Sequence, residues 1–193
     1  LQVFEVGTAT MMGAKGAIVP VQQVMTSAGE KFDQKAYIPS VAGYYTTSKG
    51  EMLSFPFNSS TAVFYYNKDM FEKAGLDPNR APATWPEVMA AAAKIKTSGT
   101  SQCAYTTGWP SWVHIENFSA WHNVPIGTKQ NGMGGFDTQF TVNSPLHVRH
   151  LEMLGDMAKK GLFTYAGRTN QGDAKFSSGE CAMFTGSASA QGG

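Results

Sequence analysis

The chain has 193 residues, enough for one domain of ordinary size or two small lobes. Hydrophobic residues make up 42% and charged residues 15%, which excludes a disordered chain. A formal net charge of +1 leaves no basic surplus for nucleic acid or anionic lipid, so any anion must be captured by local donors.

In chain order, Leu1–Val6 reads as a strand already under way, with no Met-led, charged-then-apolar leader before it. Glu5 shares a strand face with Val3, so its carboxylate either meets solvent or accepts from ligand hydroxyls. Leu53–Phe55 is the next strand signal. Asn58-Ser59-Ser60-Thr61 then leads directly into the sheet-prone run Ala62–Tyr66. Small hydroxyls in that position suit an oxyanion, because several short donors can converge on it. They also suit local bonds to the backbone, and composition alone favours that second reading.

Helix signals follow. Asn67 can cap a helix from Lys68 that Gly75 stops. Thr84-Trp85-Pro86-Glu87 reads as a capping box, with Glu87 reaching back to the amide of residue 84. Val88, Ala91, Ala92 and Ile95 form the apolar face of that helix, and Gly99 closes it. Ser144-Pro145 opens a third helix with Val148, Leu151, Leu154 and Ala158 on its apolar side. A short helix is expected over Asp173–Ser178, and further strands over 103–107, 140–142 and 182–185. Alternating helices and strands make the class α/β.

The aromatic segment from Gly108 to Trp121 holds three of the four tryptophans. Trp109, in a Gly/Pro-flanked loop, can offer a flat apolar plate to a polyol, whereas Trp121 reads as core. Ser187 leaves the Cys181 strand in a small-residue turn, a setting like that of Ser60. No G-x-S-x-G elbow, Walker lysine or H-E-x-x-H is present, and the loop Gln130–Gly135 misses G-x-G-x-x-G because Asp137 holds its last position. His147 and His150 read as a solvated helix face, and His114 and His122 lack an orienting acid. Nothing calls for a metal or a cofactor, and binding is favoured over catalysis. The two cysteines, Cys103 and Cys181, fit either a bridge worth about 4.5 kcal/mol or two buried, inert thiols.

Several stretches resemble the solute-binding proteins of bacterial ABC importers (extracellular solute-binding protein family 1). They are Pro56–Thr61 followed by Tyr65–Phe71 and Gly75-Leu76, then Pro82–Glu87, and Phe176-x-x-Gly179-x-Cys181-Ala182-Met183. Leu1–Met12, Glu116–Trp121 and Tyr165-x-Gly167-Arg168 narrow the resemblance to members that capture sn-glycerol-3-phosphate. It covers essentially the whole chain.

The resemblance implies a two-lobe periplasmic binding protein of the type II solute-binding fold, incomplete at both ends. Residues 1–59 would belong to the first lobe and 60–193 to the second, with a hinge crossing near 58–62. The ligand would be sn-glycerol-3-phosphate or a glycerophosphodiester such as glycerophosphocholine. The partner would be the ABC permease at the inner membrane. By motif position the ligand-binding residues would be Glu5, Ser60, Ser187 and Trp109, with Trp112 as a near neighbour. The implied periplasmic setting selects the disulfide reading of Cys103 and Cys181.

Overall fold

The computed structural model describes residues 8–14 and 16–192. The Leu1–Val6 strand expectation, and Glu5 with it, lies outside the described residues. The chain divides into two compact units, residues 1–59 with 125–141, and residues 60–124 with 142–193. Residues 125–141, which the sequence reading placed with the rest of 60–193, cluster instead with the first unit. Phe136 explains this, because its ring would lie 3.4 Å from a Cβ added at Gly13.

The first unit is built from short helices, Thr8–Gly13, Val21–Ala28 and Pro39–Tyr44. Leu53–Phe55 forms no strand, the residue before it, Met52, making a single bridge with Thr46, and the run predicted from Phe140 reduces to one bridge with Gly127. Met52 and Leu53 are buried without a ladder, and Phe140 is exposed. A β-prone run becomes a strand only where a partner edge continues beside it, and neither run has one among the described residues.

The second unit holds a four-stranded sheet. Its strands are β1 (Ala62–Tyr66), β2 (Cys103–Thr107), β3 (Phe163–Thr164) and β4 (Cys181–Ser187), in the order β1-β4-β2-β3. Central β4 runs antiparallel to β1 and parallel to β2, and β2 runs parallel to β3. β4 is buried over its first six residues, as a strand covered on both faces should be. Cys103 and Cys181 are register partners and form a disulfide with Cα atoms 4.4 Å apart.

The helix Lys68–Lys73 is capped by Asn67, whose side chain accepts from the Met70 amide at 3.0 Å. In the helix Trp85–Ser98, Thr84 accepts from the Glu87 amide as expected. Glu87, however, reaches the Ala83 amide at 2.6 Å instead of that of residue 84. Val88, Ala91, Ala92 and Ile95 are buried against Tyr105, Ala182 and Met183.

The helix Pro145–Lys159 buries Leu154 as expected but turns a face inward that is shifted from the one expected. Its buried residues are His147, His150, Leu154 and Met157, while Val148 and Leu151 are exposed. The inward stripe is displaced by about one residue, close to 100° of helix rotation. The helix expected over Asp173–Ser178 runs Gln171–Ser177, and Trp121, expected in the core, is exposed.

Polar partners account for the inward histidines. His147 lies between Ser119 Oγ at 2.6 Å and Ser144 Oγ at 2.7 Å. His150 stacks on Phe118 with ring centroids 3.8 Å apart. Tyr105 donates its hydroxyl proton to Thr185 Oγ1 at 3.0 Å. His114 Nε2 therefore donates to Tyr105 at 3.3 Å, leaving Nδ1 to accept from His150 Nε2 at 3.1 Å. This chain of bonds holds only with the His114 ring neutral, because a proton on its Nδ1 would remove the acceptor. Burial, and then His150, pushes His114 down to about 3; burial, and then His122 and His147, pushes His150 down to about 4.

Both folded values lie below the ordinary histidine value of ~6.5. The stability they contribute is complete above that value and is lost as pH falls toward 4. In urea titrations of the full-length protein the midpoint should hold steady from about pH 8 to 7 and decline below about 6.5, with a shallower decline in His114→Gln. The paired change Cys103→Ala and Cys181→Ala should lower unfolding free energy by about 4 kcal/mol, read from denaturant midpoints.

Candidate functional site

The sheet pairing decides which sequence-predicted residues meet. Ala62, the first residue of β1, pairs with Ser187, the last of β4. The Thr61 carbonyl accepts from the Ala188 amide at 2.9 Å. Ser60 and Ser187 are thus brought to the same end of the sheet, one entering β1 and the other leaving β4. Ser60 is exposed and Ser187 is half-buried.

Trp109 joins them from β2. Thr107 is in register with Thr185, and the Gly108 amide donates to the Thr185 carbonyl at 3.1 Å. The chain then turns at Trp109, whose φ of 45° is unusual for an aromatic residue. Its amide donates to Thr169 O at 3.2 Å, its carbonyl accepts from the Val113 amide at 3.0 Å, and its indole N–H donates to Asn170 Oδ1. The half-buried indole is therefore fixed in orientation. Trp112 begins a π-helical segment, Trp112–Asn117. Asn117 donates to the Trp112 carbonyl at 3.0 Å and accepts from the Ala62 amide at 3.3 Å, tying this segment to the start of β1.

Ser60, Ser187, Trp109 and Trp112 are therefore gathered at the carboxyl end of the parallel strands. Open α/β sheets bind ligands there. Glu5, the fifth expected residue, lies outside the described residues.

The sequence reading missed three parts of this sheet end. Tyr65 donates its hydroxyl to the carbonyls of Ser187 at 3.1 Å and Ala188 at 3.2 Å, and so fixes the turn that carries Ser187. Within that turn the Ser189 amide donates to Ser187 Oγ at 3.1 Å. Gly172 and Gly108 permit close approach: a Cβ at Gly172 would sit 2.3 Å from Thr107 O, and one at Gly108 would sit 2.4 Å from Asp173 Oδ2. Asp173 is the third part. Its Oδ2 is buried without a hydrogen-bond partner among the described residues, and burial raises its pKa above the ordinary aspartate value. Strand alternation could have paired Tyr65 with its neighbours, but nothing local links Gly108 to Asp173.

Comparison with known proteins agrees with this architecture. The family described as bacterial extracellular solute-binding protein matches residues 1–193. This chain belongs to that family. It is 53% identical over 185 residues to the sn-glycerol-3-phosphate-binding periplasmic protein UgpB of Brucella abortus, covering 96% of this chain and 43% of that protein. The protein of the same name from Yersinia pestis is 54% identical over 188 residues, covering 97% of this chain and 42% of its own length. The chain thus spans less than half the length of these relatives.

Among solved structures, UgpB from Mycobacterium tuberculosis in complex with glycerophosphocholine aligns with a TM-score of 0.70 at 19% identity, covering 94% of this chain and 45% of that one. Maltose-bound MalE3 of T. maritima aligns with a TM-score of 0.64 at 18% identity, covering 90% and 42%. These likenesses establish the α/β solute-binding fold.

In this solute-binding chain the helix Gln171–Ser177 sits directly against the end of β2, with no room for a side chain at Gly172. Gly172→Ala should therefore destabilise the protein by about 2 kcal/mol or more, because the Thr107 backbone cannot move aside without disturbing the ladder. Gly179→Ala, whose Cβ meets nothing within 4 Å but which carries a φ of 76°, should cost about 1 kcal/mol. Thermal or urea denaturation of the two variants checks the order.

Proposed function

We propose that this chain is part of the substrate-binding component of a bacterial ABC importer. It captures sn-glycerol-3-phosphate, or a glycerophosphodiester such as glycerophosphocholine, in the periplasm and delivers it to the permease. The observation that carries this reading is the placement of Ser60, Ser187 and a fixed indole, Trp109, at one end of the sheet. The printed names of relatives at 53% and 54% identity support the choice of ligand class.

The chemistry follows from the residue types. A phosphate carries about −1 as a diester and −1.5 to −2 as a monoester near neutrality. Hydroxyls and backbone N–H groups donate to its oxygens without bringing in a counter-charge that must itself be desolvated. The indole face gives the carbon skeleton an apolar wall. Glu5 would accept from the glycerol hydroxyls. No step makes or breaks a covalent bond, because the site needs donors and a wall but neither a nucleophile nor a base.

Isothermal titration of the full-length protein with sn-glycerol-3-phosphate and with glycerophosphocholine tests this. Ser187→Ala and Ser60→Ala should each weaken binding by about tenfold, the value of one hydrogen bond to a charged group. Trp109→Ala should weaken it at least as much. A protein that ignores both phosphorylated ligands, yet binds a sugar or oligosaccharide and loses it only with Trp109→Ala, would be a carbohydrate binder of the same superfamily. Release of free phosphate from either ligand, abolished by Ser60→Ala, would instead make the protein a phosphoester hydrolase.

A further inference from the structure

One charged group at the proposed site has no role in capturing an anion. Asp173 lies in the helix Gln171–Ser177, and its Oδ2 is buried without a hydrogen-bond partner among the described residues. It also makes no ion pair there: the nearby lysine of its own helix, Lys175, is bonded to Glu180. The carboxylate is pressed against bare Gly108, where an added Cβ would lie 2.4 Å from Oδ2. The Gly108 amide is bonded to Thr185 O, two residues before Ser187, and Trp109 follows immediately.

The Tyr65 hydroxyl is bonded to the carbonyls of Ser187 and Ala188. Burial first, and then the charge of Asp173, raises the pKa of Tyr65, which accords with an influence of Asp173 on that turn.

An unpaired carboxylate is costly to bury and contributes nothing to packing that an amide of the same shape would not. Beside a pocket of neutral donors it has one definite electrostatic effect. It repels a bound dianion about twice as strongly as a monoanion at the same position. We propose that Asp173 sets the charge preference of this site, favouring singly charged phosphodiesters over dianionic phosphomonoesters. This rests on the reading of Ser60, Ser187 and Trp109 given above. Asp173 is thus a specificity-determining residue that acts through its field without contact with the ligand.

The test is the ratio of two affinities in the full-length protein at about pH 8, where a phosphomonoester is fully dianionic. Titration calorimetry with sn-glycerol-3-phosphate and glycerophosphocholine is compared between the natural protein and Asp173→Asn, which keeps shape and removes charge. The substitution should shift the ratio toward the monoester by about fivefold, a size expected for one extra unit of ligand charge in a partly solvated site. A structural role alone would weaken both ligands together and leave the ratio unchanged. Should Asp173→Asn fold poorly, Asp173→Ser carries the same comparison. An unchanged ratio in a variant that still binds overturns this inference and leaves the proposed function standing. Failure of the natural protein to bind either ligand overturns both.

Discussion

The double pairing of β4 is the constraint on which the second unit depends. This one strand holds β1 antiparallel on one side and β2 parallel on the other, with a disulfide at its start. Because the two neighbours run in opposite senses, the start of β1 and the end of β2 arrive together at the end of β4. Ser60 and Trp109, well separated along the chain, become neighbours of Ser187 for that reason. Every other feature of the site is an elaboration of this register: Asn117 bonds the start of β1, Tyr65 pins the turn after β4, and the 171–177 helix closes on Gly108. A slip of one residue in β1 would turn Tyr65 to the opposite face.

The polar groups of this unit fall into two kinds. Those in the interior are satisfied in pairs. His114, His150, Tyr105 and Thr185 form one chain of bonds, and His147 sits between two serines. Such a network fixes a single packing, because any other arrangement would strand a buried donor or acceptor. At the sheet end the pattern differs. Ser60 is exposed, Trp109 is half-buried, and Asp173 keeps a buried oxygen without a hydrogen-bond partner among the described residues. Unspent hydrogen-bonding capacity beside a rigid frame suits a binding surface, since the frame has already met the cost of ordering it.

Membership of the family and the solute-binding fold frame these observations without supplying them. The likeness to solved relatives extends through most of this chain but through less than half of theirs. The local geometry of one sheet end therefore bears the weight of the functional reading. Among the described residues its candidate donors are neutral, and Asp173 is an unpaired negative charge beside them.

The sequence by itself determined what short-range chemistry controls. Asn67 and Thr84 cap their helices as read, β1, β2 and β4 lie where β-branched and aromatic runs predicted them, and the 85–98 helix buries the face its periodicity indicated. The small-residue settings of Ser60 and Ser187 and the loop of Trp109 were legible as candidate donors and a candidate wall. Tertiary structure decided the rest. Only the packing of the 145–159 helix against Ser119, Phe118 and His114 could turn His147 and His150 inward, since two imidazoles look like a solvated face until partners elsewhere in the chain satisfy them. Only the packing of the 171–177 helix on the end of β2 could place Asp173 against Gly108, because that closeness depends on an absent side chain in one element and a charged one in another. Capping and periodicity act within a few residues, whereas hydrogen-bond partners and neighbouring charges belong to the folded whole.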